Sequence, residues 1–502
     1  MKRIICFILL AVMLLPTVIA CGEKTPQTGD TTPAVTTDST VTTAPAVTTE
    51  PPELPDVPED AYYDGYTFTV LVTGNFNNND FEAENAGGDI VSDAIYRKNV
   101  AVEDKLGIVI ENIDAIAFGS SGGSGTGYTK MKQAYDAASF DYDIAMIGTY
   151  DVASLAQSGI IRDLNNVPYI DLERSWWDQM ANRDLAIMDK MFFTTGDISL
   201  TDNIITHCIM FNKGILASNG DLQDPYQLVN DNKWTYDVFI AEAKKVGEDL
   251  NGDDKMDIND RYGLMTWNDA SLAVLNSSLA KICTVNDNGE IELTLNTQTA
   301  ISVLEKYVSL HSTEYCFNYQ SYDSTTSSWD PNRIKVFDED LAYYYMTTFN
   351  TVPKHRDKET DFGILPFPKL SEDQETYGHL VSAYHCQFFC IPYFAEDIDR
   401  TGVVAETLAW ASQSTLTPAY YEKTLVGSVI RDEESADMLD IIFGTRVFDV
   451  GAYYKIGSFT SNIPSIISKN QVDTFSSTVE KATRSATVAI KNINKKFAEI
   501  KD

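Results

Sequence analysis

The segment from residue 249 to residue 260 has the spacing of a calcium-binding loop. Oxygen-bearing side chains occupy its first, third, fifth, ninth and twelfth positions, and position 7 offers a backbone carbonyl. In chain order these ligands are Asp249, Asn251, Asp253, Lys255 (by its carbonyl), Asp257 and Asp260. Calcium takes about 6–8 hard oxygen ligands, which a tight turn with alternating side chains supplies. We therefore predict a structural Ca²⁺ site, and the alternative is an acidic, solvated loop without metal.

Two positions of this loop depart from the usual pattern. The sixth position normally needs a glycine because its φ is positive, and here it is Asp254, a residue type that tolerates this conformation better than most. The twelfth position is Asp260 instead of glutamate, which makes bidentate closure of the site harder.

Two other patterns suggest chemistry that their context does not support. His385, Cys386 and Cys390 are zinc-ligand types, but we predict a buried strand from Tyr384 to Ile391. Alternate residues of a strand face opposite sides, so His385 would point away from both thiols. Gly119–Gly123 matches the nucleophile elbow of serine hydrolases, but more glycines follow where a helix should begin. We predict buried structural thiols without a disulfide scaffold, and a glycine-rich loop without a catalytic serine.

The chain begins with a pattern typical of a bacterial lipoprotein. Two basic residues precede a continuous apolar run that ends at Leu15, and small residues then lead to Cys21. Pro16 interrupts the run, which is shorter than the roughly 20 apolar residues of a membrane span. We predict that residues 1–20 are a signal peptide. Cys21 would carry the lipid and anchor the protein to the extracellular face of the cell membrane.

The composition of the next part of the chain predicts a disordered tether. Residues 21–61 are rich in Thr, Pro, Ala and Val, and one pentapeptide occurs at both 33–37 and 45–49. Such a segment buries too little apolar surface to become ordered. The remaining chain has ample apolar and aromatic content for two lobes. The net charge of −35 argues against nucleic acid, and against anionic ligands in general unless a local basic pocket overrides the average.

The folded part alternates short apolar strands with amphipathic helices. A helical face at Ala300, Val303 and Leu304 illustrates the second kind of element. The predicted strands are Tyr66–Val72, Ile108–Ile110, Tyr142–Ile147, Phe192–Thr195, His207–Asn212, Leu264–Trp267, Leu341–Thr347 and Tyr384–Ile391. This alternation predicts an α/β fold with mostly parallel sheets, in which ligands lie beyond the carboxyl ends of the strands.

Several segments, in the right order, resemble the extracellular solute-binding proteins of family 1, typified by maltose-binding protein. They are Tyr142–Tyr150, Ala156–Gly159, Gly196–Ser199, Ile209–Lys213, Asp361–Lys369, Thr417–Tyr421 and Asp432–Asp440. The resemblance implies a type II periplasmic-binding-protein-like fold with two lobes joined by hinge crossings. Lobe I would comprise residues 62–197 and 375–415, and lobe II residues 198–374 and 416–502.

The resemblance also implies a function and a ligand site. The protein would capture a carbohydrate, expected to be an oligosaccharide, in the cleft between its lobes and deliver it as a monomer to an ABC transporter permease. It would not be an enzyme. Loops after the strands would line the cleft with Tyr150, Asp151, Asp197, Asp202, Trp267, Asn268, Phe349 and Tyr384. The alternatives are a secreted carbohydrate-active enzyme, and a peptide-binding, sensor or adhesin lipoprotein of the same fold.

Overall fold

The computed structural model describes residues 53–83, 87–320, 331–429 and 432–500. The predicted signal peptide, Cys21 and most of the tether therefore lie outside the described residues. Residues 54–502 form one compact unit. Within the described ranges, no helix combines the length and the apolar character needed to cross a membrane.

The described residues form thirteen strands. They are β1 (Tyr66–Val72), β2 (Ile108–Asp114), β3 (Ile144–Gly148), β4 (His207–Asn212), β5 (Tyr262–Thr266), β6 (Cys283–Val285), β7 (Ile291–Leu293), β8 (Cys316–Asn318), β9 (Ala342–Thr348), β10 (Phe362–Leu365), β11 (His379–Leu380), β12 (Gln387–Cys390) and β13 (Arg446–Val447). The predicted bounds of β1 and β4 are confirmed.

Helices separate most of these strands. They are α1 (Ile90–Leu106), α2 (Thr126–Ala137), α3 (Thr149–Ser158), α4 (Gln179–Leu185), α5 (Thr201–Ile204), α6 (Lys213–Ser218), α7 (Pro225–Asn230), α8 (Tyr236–Lys244), α9 (Ala270–Ser277), α10 (Gln298–His311), α11 (Pro331–Asp338), α12 (Ile398–Ser414), α13 (Leu416–Pro418), α14 (Glu433–Phe443), α15 (Val450–Tyr453), α16 (Phe459–Ser468) and α17 (Phe475–Glu499). A π-helical segment, Ala419–Val429, follows α13. The predicted helical face at Ala300 belongs to α10, whose N-cap Thr297 accepts a hydrogen bond from the Ala300 N–H.

Two sheets organise the chain. The first has the order β12-β3-β1-β2, with β12 antiparallel to β3 and the other two pairings parallel. The second has the order β10-β4-β9-β5-β8, with two antiparallel and two parallel pairings. The α/β class is confirmed, and the second sheet is mixed instead of mostly parallel. The second sheet is mixed because β4 lies antiparallel to both of its neighbours, β10 and β9, whereas β5 lies parallel to both of its neighbours, β9 and β8.

One predicted strand is absent and another is shorter than predicted. Phe192–Thr195 is not a strand, because only Thr194 forms an isolated bridge, with Phe389. The strand predicted over Tyr384–Ile391 is reduced to β12, because the N–H groups of His385 and Cys386 donate to the Ser382 carbonyl and make a turn there. Cys386 and Cys390 are buried free thiols, as predicted.

Three segments outside the two sheets pair with each other, and we call them the first, second and third crossings: the residues just before β4, those from β11 to Ser382, and β13. Residue Thr206 of the first crossing bridges Val381 of the second, and β11 of the second pairs in parallel with β13 of the third. Helix α17 contacts both α3 and β7, on either side of the predicted lobe boundary. The lobe boundaries stay a prediction, since residues 54–502 form a single unit by their contacts.

Candidate functional site

Two adjoining cavities open between the sheets. The first has a volume of about 340 Å³ and the second about 410 Å³, and both are lined by His207, Asp269, Ser382 and Tyr384. We call them together the cleft. Its walls are loops that follow β1, β2 and β3 of the first sheet and β5, β8 and β9 of the second. Its floor is the second crossing, around Ser382. The cleft therefore lies where ligands are expected in open α/β sheets.

Aromatic side chains line the cleft from both walls. Phe118 contacts Tyr384 edge to face, and its side chain is 77% exposed. Tyr150 comes from the start of α3, and Trp267 follows β5. Flat apolar rings with polar edges suit the ring faces and hydroxyls of sugars, because one side chain offers both a stacking surface and a hydrogen bond.

His207 is a buried hydrogen-bond acceptor at the centre of the cleft. It is 2% exposed and its ring stacks on Trp267 at an interplanar angle of 11°. Its Nδ1 lies 3.0 Å from the carbonyl of Leu380, so Nδ1 carries the proton and donates it. Burial lowers the pKa of His207 to about 4. Its Nε2 is therefore a bare acceptor, and it has no hydrogen-bond partner among the described residues.

Asp269 supplies a carboxylate to both cavities. It stands at the N-cap position of α9, but its side chain caps no N–H and forms no hydrogen bond or ion pair within the described chain. The surrounding walls desolvate it, which raises its pKa. Burial raises the pKa of Tyr150 and of Tyr384, and the charge of Asp269 adds to both shifts. This carboxylate is available to accept hydrogen bonds from a ligand.

The structure brings three of the eight predicted ligand residues together at the cleft: Tyr150, Trp267 and Tyr384. Asp151 is fully buried behind the wall, where it accepts hydrogen bonds from the N–H groups of Gly123 and Gly125. It thereby fixes the glycine-rich loop that carries Phe118. Its role is to position that loop, because its own carboxylate does not reach the cleft.

The other four predicted residues do not line the cleft. Phe349 is buried in the core and stacks on Phe443, so the expectation that it faces a ligand is wrong in placement. Asn268 lies beside Trp267, but its N–H donates to Gln320 and its side-chain oxygen accepts from Asn318. Asp197 and Asp202 lie elsewhere, in a separate cavity.

That separate cavity, of about 350 Å³, lies beside the crossings and is lined by Asp178, Asp197, Asp202 and Arg446. The guanidinium of Arg446 contacts Asp178 at 2.5 Å and Asp202 at 2.9 Å. One cation faces three carboxylates there. Burial raises the pKa of Asp197 to about 6 and that of Asp202 to about 7, in spite of the nearby guanidinium. The ion pair between Asp202 and Arg446 links the first crossing to the third.

The predicted calcium loop has the positive φ expected at its sixth position, but N–H groups of the loop donate hydrogen bonds to its carboxylates. Asp254 adopts φ +61°, and its N–H donates to the carboxylate of Asp249. Asp260 is fully buried and accepts from the N–H groups of Leu250 and Asp257. Within the described residues, no group of three or more His, Cys, Asp or Glu side chains is arranged to hold a metal. Calcium binding stays a prediction.

Comparisons with known proteins establish the fold. The sequence matches no protein-family profile and no curated protein. A cyclic α-maltosyl-1,6-maltose-binding protein from Arthrobacter globiformis superposes with TM-score 0.57 at 13% identity, over 85% of this chain and 100% of that one. An ABC substrate-binding protein from Listeria monocytogenes in complex with cycloalternan gives 0.52 at 13%, over 87% and 100%. A cyclo/maltodextrin-binding protein complexed with maltotetraose gives 0.56 at 13%, over 87% and 99%.

The chain has the fold of the substrate-binding proteins of ABC transporters. The resemblance noted in the sequence is thereby confirmed at the level of the fold. At 13% identity the likeness does not extend to the ligand, which has to be argued from the cleft itself. Among the cleft residues of this substrate-binding-protein fold, sequence reasoning missed His207, Asp269 and Phe118. A signal existed only for Asp269, which follows Trp267 at the end of a predicted strand.

Proposed function

We propose that this protein captures an oligosaccharide in the cleft and delivers it to the permease of an ABC transporter. The observation that carries the proposal is the composition of the cleft: aromatic rings on both walls around two acceptors without partners, His207 and Asp269. Sugar hydroxyls would donate to these acceptors while the ring faces stack on Trp267 or Phe118. The sugar-binding proteins of the same fold support this choice of ligand.

Binding without turnover fits the cleft better than glycoside hydrolysis. A glycosidase uses two carboxyl groups that flank the scissile bond. The described cleft residues include two carboxylates, Asp269 and Asp449. Asp449 is 1% exposed and accepts from the N–H groups of Ile282, Cys283 and Gly451, so it is engaged in holding backbone. Only Asp269 is left to act on a substrate, and one carboxylate does not make the pair.

The same proposal covers location and stability. A lipid on Cys21 and the tether that follows would hold the monomeric body at the extracellular face of the membrane, next to its permease. Calcium in the loop of residues 249–260 would stabilise the turn between α8 and β5 without contacting the ligand.

The test is calorimetric titration of the protein, purified without its first 21 residues, with a panel of oligosaccharides and peptides. A saturating ligand at 100 times its dissociation constant should also add about 2.7 kcal/mol to the free energy of unfolding. We expect binding of one class of sugar with no product formed. Formation of product would favour the enzyme, and binding of peptides alone would favour the peptide-binding alternative.

A matched pair of variants locates the binding. Trp267→Ala removes a stacking surface from the cleft and should weaken sugar binding roughly tenfold or more. Phe140→Ala removes an aromatic ring that is 55% exposed and does not line the cleft, and should leave the affinity unchanged. Equal effects of the two substitutions would contradict the assignment of the cleft.

A further inference from the structure

One wall of the second cavity is rich in hydrogen-bond donors. Three side chains there carry N–H groups: Gln320 after β8, Asn350 after β9, and Lys354 in the short 3₁₀ turn Val352–His355. All three line the same cavity as Trp267 and Phe76, which offer ring surfaces. A polar ligand edge that meets this wall encounters donor groups from three separate segments of the chain.

The orientation of both amides follows from their partners. The Oδ1 of Asn350 accepts from the hydroxyls of Thr348 at 2.7 Å and Thr351 at 2.9 Å, and within the described chain its NH₂ group makes no hydrogen bond. The Oε1 of Gln320 accepts from the N–H of Asn268 at 3.0 Å, and its NH₂ group has no hydrogen-bond partner among the residues that the structure describes. The Oδ1 of Asn350 thus has both of its acceptor positions occupied and the Oε1 of Gln320 one of two, and the NH₂ groups of both side chains are left for the cleft.

Lys354 adds a positive charge to these donors. Its ammonium forms no ion pair or side-chain hydrogen bond within the described chain, whereas its neighbour Lys358 contacts Asp338. Partial burial lowers the pKa of Lys354, and no carboxylate stands close enough to oppose that shift. The other titratable groups of this cavity are His207, Asp269, Tyr319, Tyr384 and His385. Burial lowers the pKa of both histidines to about 4, so they are neutral near pH 7.

This wall is a local basic pocket in a chain of net charge −35. A neutral hydroxyl donates as well as accepts, whereas Lys354, Asn350 and Gln320 together offer three donor groups and one open acceptor position, on Gln320. A carboxylate is acceptor-only and takes up to about four hydrogen bonds, so it matches two amide NH₂ groups and an ammonium. We propose that the captured oligosaccharide is acidic, and that the carboxylate of one hexuronic acid residue binds against Lys354, Asn350 and Gln320. The proposal rests on the carbohydrate-binding function above.

The test compares oligouronides with their carboxyl-reduced forms, which keep every linkage and differ only at C6. The probes are the trimers of galacturonic, glucuronic, mannuronic and guluronic acid, with neutral glucan, xylan and mannan trimers beside them. Calorimetric titration should find an acidic trimer that binds at least tenfold more tightly than its reduced form, the change expected for loss of one charge-assisted contact.

Variants assign the effect to the wall. Lys354→Met should weaken binding of the acidic trimer tenfold to a hundredfold and change binding of the reduced trimer less than twofold. Asn350→Asp keeps the shape and the threonine hydrogen bonds but places a negative charge in the wall, and should act in the same direction. Lys358→Met, outside the cleft, is the matched control. Circular dichroism and the melting temperature confirm that each variant is folded.

The outcomes separate this inference from the function on which it rests. If a neutral trimer binds most tightly and Lys354→Met does not matter, the ligand is a neutral sugar and only the inference falls. If a reduced trimer binds as well as its acid, the inference falls in the same way. If only peptides bind, both statements fall. Failure of every uronide to bind also overturns the inference.

Discussion

Arg446 is the residue whose loss should change stability most clearly among the charged groups at the crossings. Its side chain is 13% exposed, and those of Asp178 and Asp202 are 0% and 1% exposed. Arg446→Met keeps most of the apolar stem but leaves two buried carboxylates without their cation. Loss of one partner from a buried ion pair typically costs about 3–5 kcal/mol. We expect a loss in this range at pH 8.

The loss should depend on pH in a defined direction. Removal of the guanidinium raises the pKa of Asp202 further above its present value of about 7. In the unfolded chain an aspartate has its usual pKa of about 3.9, so at pH 5 unfolding releases a proton that the folded variant holds. Protonation removes the uncompensated charge. The difference between variant and wild type should therefore shrink as the pH falls from 8 to 5. The decrease is at most about 1.4 kcal/mol, because a carboxyl group whose pKa rises above 8 is already protonated at pH 8.

Urea unfolding followed by tryptophan fluorescence at pH 5 and pH 8 measures both quantities. The control is Arg183→Met, whose guanidinium is 67% exposed, and which should cost no more than about 1 kcal/mol at either pH. A loss for Arg446→Met that is the same at both pH values, or no larger than that of the control, would refute the reasoning. The carboxylates would then be compensated by something other than this arginine.

Three further predictions concern other parts of the chain. Glu406 accepts from both indole N–H groups of Trp176 and Trp177, so Glu406→Gln should cost roughly 1–3 kcal/mol in urea unfolding. Burial raises the pKa of Glu406 to about 7, so the wild type loses stability as the pH rises toward 8, and the cost of this variant should be smaller at pH 8 than at pH 5. In the predicted calcium loop, a chelator should lower the melting temperature of the wild type but not that of the double variant Asp253→Asn, Asp257→Asn. An equal response of the two proteins would indicate that the loop holds no calcium. Buried Cys386, whose pKa burial raises, should react with a thiol reagent only after unfolding, and fast reaction in the native state would contradict its burial.

The elements that the sequence predicted best are those whose pattern is local. Strand β4 is buried at all six residues, and its apolar run starts and ends where the structure has it. Phe192–Thr195 has equally good strand residues, but a strand also needs a neighbour, and only Thr194 finds one. The turn at Ser382 could not be read from the apolar run that follows it.

The candidate site was predictable only where it follows strand ends directly. Tyr150 and Trp267 lie in such places and do line the cleft. Phe349 follows β9 in the same way, but Phe443, far along the chain, covers it. His207 was predicted to begin a strand and does. The orientation of its ring toward the cleft depends on the hydrogen bond to the carbonyl of Leu380, in the second crossing. Such a contact between distant segments leaves no trace in local periodicity.

The place of β12 in the first sheet determines when this protein can fold. β12 pairs with β3, although about 240 residues separate the two strands in the chain. Helix α17 adds Phe497 to the core against Phe192, so the last turn of the chain also covers an early segment. Contacts of such high contact order form late, because a long loop must close before they contribute. A nascent chain would therefore not complete the packing of its first sheet until β12 and α17 have been made. For a protein that we propose to be exported, this delay would keep the polypeptide unfolded enough to pass through a translocation channel until α17 has been made.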